Sequence, residues 1–257
     1  MRLTALCFAL WVVAVAAAHG EPSDAAVEEY RLAMIENIGQ ALSGARDLRD
    51  ALNRQDFINA RKAWIGARVG WERSEVFTSG FVPDLDEAID AWPDANAGFH
   101  GIEAKLFGAD PADAGDQADA LVAHLAELDA RIRTMQLTPQ GLFNGIVRLA
   151  YEVGDSKVDG GESRVSGTSL DDMRNNADGI DCAYRDLFAV KLEAADKILA
   201  DRVEDDVKWL KALLAVNELR SVDADSLRKA SEALIVGLQA AAPELGLSAP
   251  ALEEAAK

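Results

Sequence analysis

The 257-residue sequence is short of cysteine and of positive charge. Of its two cysteines, Cys7 lies in an apolar run at the start of the chain, so a chain that has lost this run keeps only Cys182. A single thiol cannot form an intramolecular disulfide, so packing must stabilise the fold. Lysine and arginine number 26 against 44 acidic residues, and the net charge of −18 repels nucleic acid and anionic membranes. We therefore expect no nucleic-acid partner.

Several catalytic signatures are also missing. The sequence contains no G-x-S-x-G motif, no P-loop and no dinucleotide-binding fingerprint. It has no H-E-x-x-H motif, because His100 is followed by Gly101 and no second histidine lies four residues on. Hydrolysis by a metal-activated water needs a base placed on that water, and the sequence identifies none. These absences favour a binding protein over an enzyme.

The first 20 residues predict a secretory signal peptide. Arg2 precedes the apolar run 5–18, which is too short to span a bilayer comfortably and ends in small residues typical of a cleavage site. A retained membrane anchor is the alternative, and it fits this short run less well. Residues 21–257 are then expected to form one exported domain, more negative than the whole chain because Arg2 is lost.

The rest of the chain predicts an all-α fold. Apolar residues recur at helical spacing in segment after segment, and no alternating strand pattern of useful length occurs. Ser23 is a predicted N-cap, Thr138 before a proline predicts another helix start, and Ser169 with Asp172 predicts a capping box. One long helix is expected over about 190–219. We predict antiparallel helices on short connections, packed as in four-helix bundles.

Two short segments carry residues suited to bind a metal ion. His100 and Glu103 lie three positions apart on a predicted helix, so an imidazole and a carboxylate project from one face. Glu72 and Glu75 repeat this spacing near the end of an upstream helix, and the acidic connector 83–90 lies between the two. If the helices face each other, four or five ligands converge. One neutral nitrogen among carboxylates fits octahedral iron or manganese better than closed tetrahedral zinc.

Each segment also has a simpler interpretation. Glu72 and Glu75 are consistent with a solvated helix end, at which Arg68 pairs with Glu72 four residues on. The run 84–90 is consistent with an ordinary acidic loop. An isolated H-x-x-E motif often makes only a surface hydrogen bond. Singly these interpretations are preferable, but the combination of all segments favours a metal site.

The residues around the histidine indicate close packing. Gly98 and Gly101 flank His100, and each lowers helix stability by about 1 kcal/mol relative to alanine. Their presence predicts close approach of another backbone beside the candidate ligand. Trp64 and Trp71 lie on one stripe of the upstream helix, and we expect both to pack in the core.

Four segments match, in order, the motifs of one protein family. Residues 71–75 match its aromatic-E-x-x-E segment, 84–91 its D-L-D-x-x-I-D-A connector, 98–103 its G-x-H-x-x-E signature and 156–164 its S-K-x-x-G-x-x-x-R loop. The chain thus resembles the imelysin-like family, which includes EfeO-type and EfeM-type iron-uptake proteins. The matches span about residues 56–190, and it is their joint occurrence that is specific.

The resemblance implies a bundle of antiparallel helices, a periplasmic location and a metal site on the H-x-x-E helix. Carried over residue by residue, the ligands are His100 and Glu103, with Glu72 and Asp90 as their first partners and Glu75 next. Iron is the implied cargo, with zinc or manganese as alternatives, and an inner-membrane iron permease is the implied partner of a monomeric protein. The rival function is a zinc metallopeptidase, because the family was named for a proteolytic activity.

Two departures from the family pattern bear on these expectations. After Arg164 the loop reads Val165-Ser166-Gly167-Thr168, where many EfeO-type chains have an aromatic residue and a histidine. This puts an additional ligand from the loop in doubt. No cupredoxin-like β-domain precedes the helices, so the chain resembles the EfeM-type form and is expected to lack that domain's copper or second iron site.

Overall fold

The computed structural model describes residues 22–91 and 96–250, and within these ranges the chain forms helices and no strands. The all-α prediction is confirmed. The predicted signal peptide lies outside the described residues, and no described helix is long and apolar enough to cross a membrane. The α-helices are α1 (Asp24–Asn53), α2 (Phe57–Phe81), α3 (Pro83–Asp90), α4 (Gly98–Leu106), α5 (Gly115–Ile132), α6 (Pro139–Gly154), α7 (Ser169–Ala183), α8 (Val190–Ala195), α9 (Lys197–Leu214) and α10 (Ala224–Ala241).

Two helix starts lie where the sequence predicts them. The Ser23 side chain accepts a hydrogen bond from the Ala26 N–H at 3.2 Å and caps α1. The Thr138 side chain likewise accepts from the Gly141 N–H at 3.2 Å, and a proline occupies the first turn of α6. These caps satisfy backbone donors that have no partner inside the helix.

The capping box predicted at the start of α7 is wrong. Ser169 is the first residue of the helix, and its hydroxyl donates to the carbonyl oxygen of Glu162. Asp172 is buried and forms an ion pair with Arg68 on α2. Tertiary contacts have taken both side chains away from the cap, and this brings Asp172 into the candidate site.

Two other segments differ from the prediction. The simpler interpretation of the acidic connector as an ordinary loop is wrong, because the segment forms helix α3, which starts at Pro83, as suits a residue with no N–H to donate. The long helix expected over 190–219 is interrupted at Asp196, whose backbone is extended, with φ −145° and ψ 93°. The Asp196 side chain accepts from the Leu199 N–H at 3.0 Å, so it ends α8 and caps α9, which stops at Leu214.

Helix α2 lies at the junction of two groups of helices. It packs against α1, α3 and α4 on one side and against α6 and α7 on the other, while α6, α7, α9 and α10 pack among themselves. Glycines permit the close approaches: a Cβ added to Gly145 of α6 would lie 1.6 Å from the Val76 carbonyl oxygen, and one on Gly70 2.2 Å from that of Asn37. Polar side chains of α2 are therefore enclosed on both sides.

Candidate metal centre

Three charged residues of α2 point into this junction. Arg68, Glu72 and Glu75 recur at helical spacing on one face, and their exposed fractions are 2%, 0% and 6%. The interpretation of this segment as a solvated helix end is therefore wrong, although the predicted pairing of Arg68 with Glu72 does form. Charged side chains are seldom buried without partners, so the surrounding elements must supply them.

Helix α3 supplies Asp90, which lies at its last turn and is held by two donors. Its Oδ1 accepts from the Arg68 guanidinium at 2.5 Å and from the Trp71 indole Nε1 at 3.0 Å. Trp71 therefore packs in the core, as predicted, and also positions a candidate ligand. One carboxylate oxygen from each of Glu72, Glu75 and Asp90 lies within 4.8 Å of the others. This is a spacing at which three carboxylates can share one cation.

Helix α4 supplies His100 and Glu103. The His100 ring has Nδ1 at 3.1 Å from a Glu103 oxygen and Nε2 at 3.6 Å from Asp90 Oδ1. The predicted close approach is confirmed at Gly98, where φ is +56° and an added Cβ would lie 2.2 Å from the Ile89 carbonyl oxygen. Only glycine adopts this backbone readily. The tight α3–α4 contact thus places the imidazole against the Asp90 carboxylate.

The loop before α7 closes the site over Glu103. Glu103 Oε1 accepts hydrogen bonds from the Ser166 N–H at 2.8 Å and from the Ser166 hydroxyl at 2.7 Å. The segment that departs from the family pattern therefore supplies two hydrogen-bond donors to a candidate ligand. All five residues predicted for the metal site are buried and lie in this one region, namely Glu72, Glu75, Asp90, His100 and Glu103.

Sequence reasoning missed the lysine that lies among these carboxylates. Lys157 is 2% exposed, and its Nζ lies 2.9 Å from Glu75, 2.9 Å from Glu162 and 3.3 Å from Glu72. Lys157 belongs to one of the matched family motifs, but nothing in the spacing of that motif shows that the loop folds inward. Asn176 of α7 adds neutral donors, at 2.8 Å from Glu72 Oε2 and 2.7 Å from Glu75 Oε2.

A second group of carboxylates surrounds the Arg68 guanidinium. Oxygens of Glu72, Glu162 and Asp172 lie within 4.8 Å of one another. Arg68 Nη2 pairs with Glu72 and lies 3.3 Å from Asp172 and 3.8 Å from Glu162. The guanidinium carbon also lies 5.4 Å from the centre of the Phe99 ring. Arg68 and Lys157 thus act as the internal cations of the two carboxylate groups.

The charges shift the pKa values of the histidine and its aspartate in opposite directions. Burial lowers the pKa of His100, but the Asp90 carboxylate outweighs this and raises the pKa to about 9. Burial raises the pKa of Asp90, but the charges of His100 and Arg68 hold the pKa below its ordinary value. The imidazole is therefore protonated at neutral pH before any cation binds, and it must lose that proton to become a ligand.

The glutamates respond mainly to burial. Burial raises the pKa of Glu72 well above its ordinary value despite the neighbouring Arg68. It raises the pKa of Glu162 to about 7 against the attraction of Lys157. Burial lowers the pKa of Lys157, but Glu162 and the other glutamates outweigh it and raise the pKa. An added multivalent cation would favour the charged form of each carboxylate.

Comparisons with known proteins show the family to which the chain belongs. The family model for imelysin, peptidase family M75, matches residues 26–97 and 94–244. The chain belongs to the imelysin family. It is 29% identical over 216 residues to the iron uptake system component EfeM of Pseudomonas syringae, covering 80% of this chain and 75% of EfeM. It is 32% identical over 199 residues to EfeO of Yersinia pseudotuberculosis, covering 74% of this chain and 53% of EfeO.

Two further proteins are similar to this chain. An EfeM/EfeO family lipoprotein of Staphylococcus aureus is 30% identical over 212 residues, which are 77% of this chain and 72% of that protein. The crystal structure of an iron-regulated protein A precursor from Parabacteroides distasonis superposes with a TM-score of 0.68. The superposed region covers 89% of this chain and 97% of the Parabacteroides chain. The sequence identity is 14%, so this likeness supports the fold alone.

Proposed function

We propose that this imelysin-family protein binds iron as a cargo ion at the buried carboxylate cluster. One observation carries the proposal. All six acidic residues that are buried in the described part of the chain belong to this cluster, namely Glu72, Glu75, Asp90, Glu103, Glu162 and Asp172. Burying so many carboxylates is unfavourable unless cations compensate them. Arg68, Lys157 and protonated His100 are three cations against these six acidic residues, so the cluster is suited to take up a multivalent cation.

The donor set favours iron among the candidate ions. The cluster offers carboxylate oxygens and one imidazole, a mixture suited to octahedral iron or manganese, whereas structural zinc sites prefer sulfur and several imidazoles. His100 and Glu103, with Glu72, Asp90 and Glu75, are the proposed ligands. Metal binding would have to displace contacts that Lys157 and Arg68 now make, so uptake is an exchange of one cation for another.

The proposed setting is the periplasm, with delivery of the ion to an inner-membrane iron permease. Relatives named as iron uptake system components support this, and the lipoprotein relative supports a location outside the cytoplasm. The predicted signal peptide in residues 1–20 fits the same location. Because the contacts described lie within a single chain, we propose that a monomer is sufficient to bind the ion.

Calorimetric titration with Fe(II), Fe(III), Mn(II) and Zn(II) tests the proposal. We expect iron to bind more tightly than zinc. The Glu72→Gln variant should bind iron roughly 100-fold more weakly, because mutating even a residue that only hydrogen-bonds to a ligand typically lowers metal affinity 10–100-fold. The matched control is Glu204→Gln, which changes an exposed glutamate of α9. Binding no tighter than millimolar by all four ions would overturn the proposal.

A zinc metallopeptidase is the second candidate, because the matching family model is assigned to peptidase family M75. Peptide hydrolysis needs a metal-bound water and a base to activate it. A casein digestion assay with added Zn(II) separates the two functions. Turnover that His100→Ala abolishes would favour the peptidase, whereas no turnover together with iron binding would favour transport.

A further inference from the structure

A cleft on the surface reaches the buried cluster from one side. It has a volume of about 330 Å³ and runs between α2 and α7. Ile65 and Val69, one helical turn apart on α2 and both half-buried, line one wall, and half-buried Asn175 lines the other. Exposed Asp171 lies at its outer rim. The cleft therefore connects solvent with the region between the two groups of helices.

The inner end of this cleft is formed by residues of the cluster itself. Arg68 and Asp172 line the cleft, yet they are only 2% exposed each. Their ion pair, at 3.3 Å, lies between the open part of the cleft and the carboxylates of Glu72 and Glu162. An ion that enters here meets the Arg68 guanidinium before it can reach the other ligands.

The charged side chains that line the cleft are balanced in sign and do not repel cations. Asp171 and Asp178 of α7 lie at the edge of the cleft. Asp171 pairs with Arg174 at 2.7 Å, and Asp178 pairs with Arg73 at 3.1 Å. The pairs neutralise the arginines, so the rim does not present free positive charge. The chain as a whole has a net charge of −18, and its field raises the local concentration of cations.

We propose that the cleft between α2 and α7 is the entry route for the cargo ion, and that Arg68 closes its inner end in the empty protein. This inference rests on the proposed function and adds the path and the closing residue. Arg68 can leave the carboxylates by rotating its side chain toward the cleft, because open volume lies on that side.

Blocking the cleft tests the route without changing a proposed ligand. In a Cys7→Ser/Cys182→Ser background, Ile65→Cys is labelled with a bulky, non-fluorescent aryl maleimide. The control is Ile58→Cys, labelled in the same way, because Ile58 lies on the same helix and is 69% exposed. Stopped-flow mixing with Fe(II) without oxygen follows tryptophan fluorescence, to which Trp71, whose indole donates to Asp90, contributes. Val69→Cys serves as a second position in the cleft wall.

The label at Ile65 or Val69 should slow association and dissociation by the same factor, about tenfold, and leave Kd within about twofold, since a barrier on a route affects both directions equally. The label at Ile58 should change neither rate. Equal rates for labelled Ile65→Cys and labelled Ile58→Cys would overturn the route, and so would weaker affinity with an unchanged dissociation rate. Failure of the unlabelled protein to bind either Fe(II) or Fe(III) would instead reject the proposed function.

Discussion

The buried cluster and the surface of α9 contain the same type of ion pair in opposite surroundings. Lys157 and Glu75 lie 2.9 Å apart with side chains 2% and 8% exposed. Lys208 and Glu204 lie 2.7 Å apart with side chains 63% and 55% exposed. Water and salt screen the surface pair, whereas each buried charge depends on its partner. The surface acids therefore contribute to solubility, whereas we propose that the buried acids bind a cation.

Removing one cation from each region gives the largest expected contrast. Lys157→Met leaves Glu75 and Glu162 buried without their main partner, so the free energy of unfolding of the metal-free protein should fall by roughly 3–5 kcal/mol. Lys208→Met should leave it unchanged, because the surface pair is screened. Urea unfolding followed by circular dichroism measures both variants. Equal effects would show that the cluster is not a buried charge network.

The pH dependence of the free energy of unfolding tests the buried cluster through the titration of His100. The pKa of His100 is raised to about 9, so its protonated form adds stability at low pH that is lost as pH rises from about 6.5 to about 9. The metal-free protein should lose at most roughly 3 kcal/mol of unfolding free energy across this window.

His100→Gln should flatten that pH dependence, whereas His124→Gln, at a half-buried position on α5, should preserve it. Iron affinity should rise over the same window, because His100 must lose its proton to bind metal. An unchanged pH profile in His100→Gln would contradict the assignment of the raised pKa. Thermal unfolding at a series of pH values, with and without Fe(II), gives both results.

The smallest expected effect concerns the loop that closes the site. Ser166→Ala removes the hydroxyl hydrogen bond to Glu103 but leaves the backbone one, so the unfolding free energy should fall by about 1–2 kcal/mol. Ser221→Ala, at an exposed position, is the control and should be neutral. If the two serine variants unfold alike in urea, the loop does not hold Glu103 in place.

Local patterns in the sequence were enough to predict the helices and the first candidate ligands. The spacing of Glu72 with Glu75 and of His100 with Glu103 reflects the geometry of one helix turn, which is visible without a structure. The cap at Ser23 is equally local. Gly98 was informative because glycine is unfavourable in a helix unless close packing or a positive φ requires it.

The partners that neutralise the cluster could not be predicted in this way. Lys157 lies in a loop far from Glu72 in the sequence, and a lone lysine in a polar loop is ordinarily solvated. Asp172 had a local explanation as a helix cap, and only the packing of α7 against α2 shows that it pairs with Arg68. Burial and long-range ion pairs depend on tertiary structure, so spacing alone does not reveal them.

Anomalous X-ray diffraction from crystals soaked in Fe(II) tests the central claim most directly, because it locates the ion in either acidic region. We predict one strong iron peak within bonding distance of the Glu72, Glu75 and Asp90 carboxylates, with Lys157 displaced from its contacts at 2.9 Å. Glu72→Gln crystals should lose this peak. Iron bound only at surface acids such as Glu204, with the buried ion pairs intact, would contradict the account.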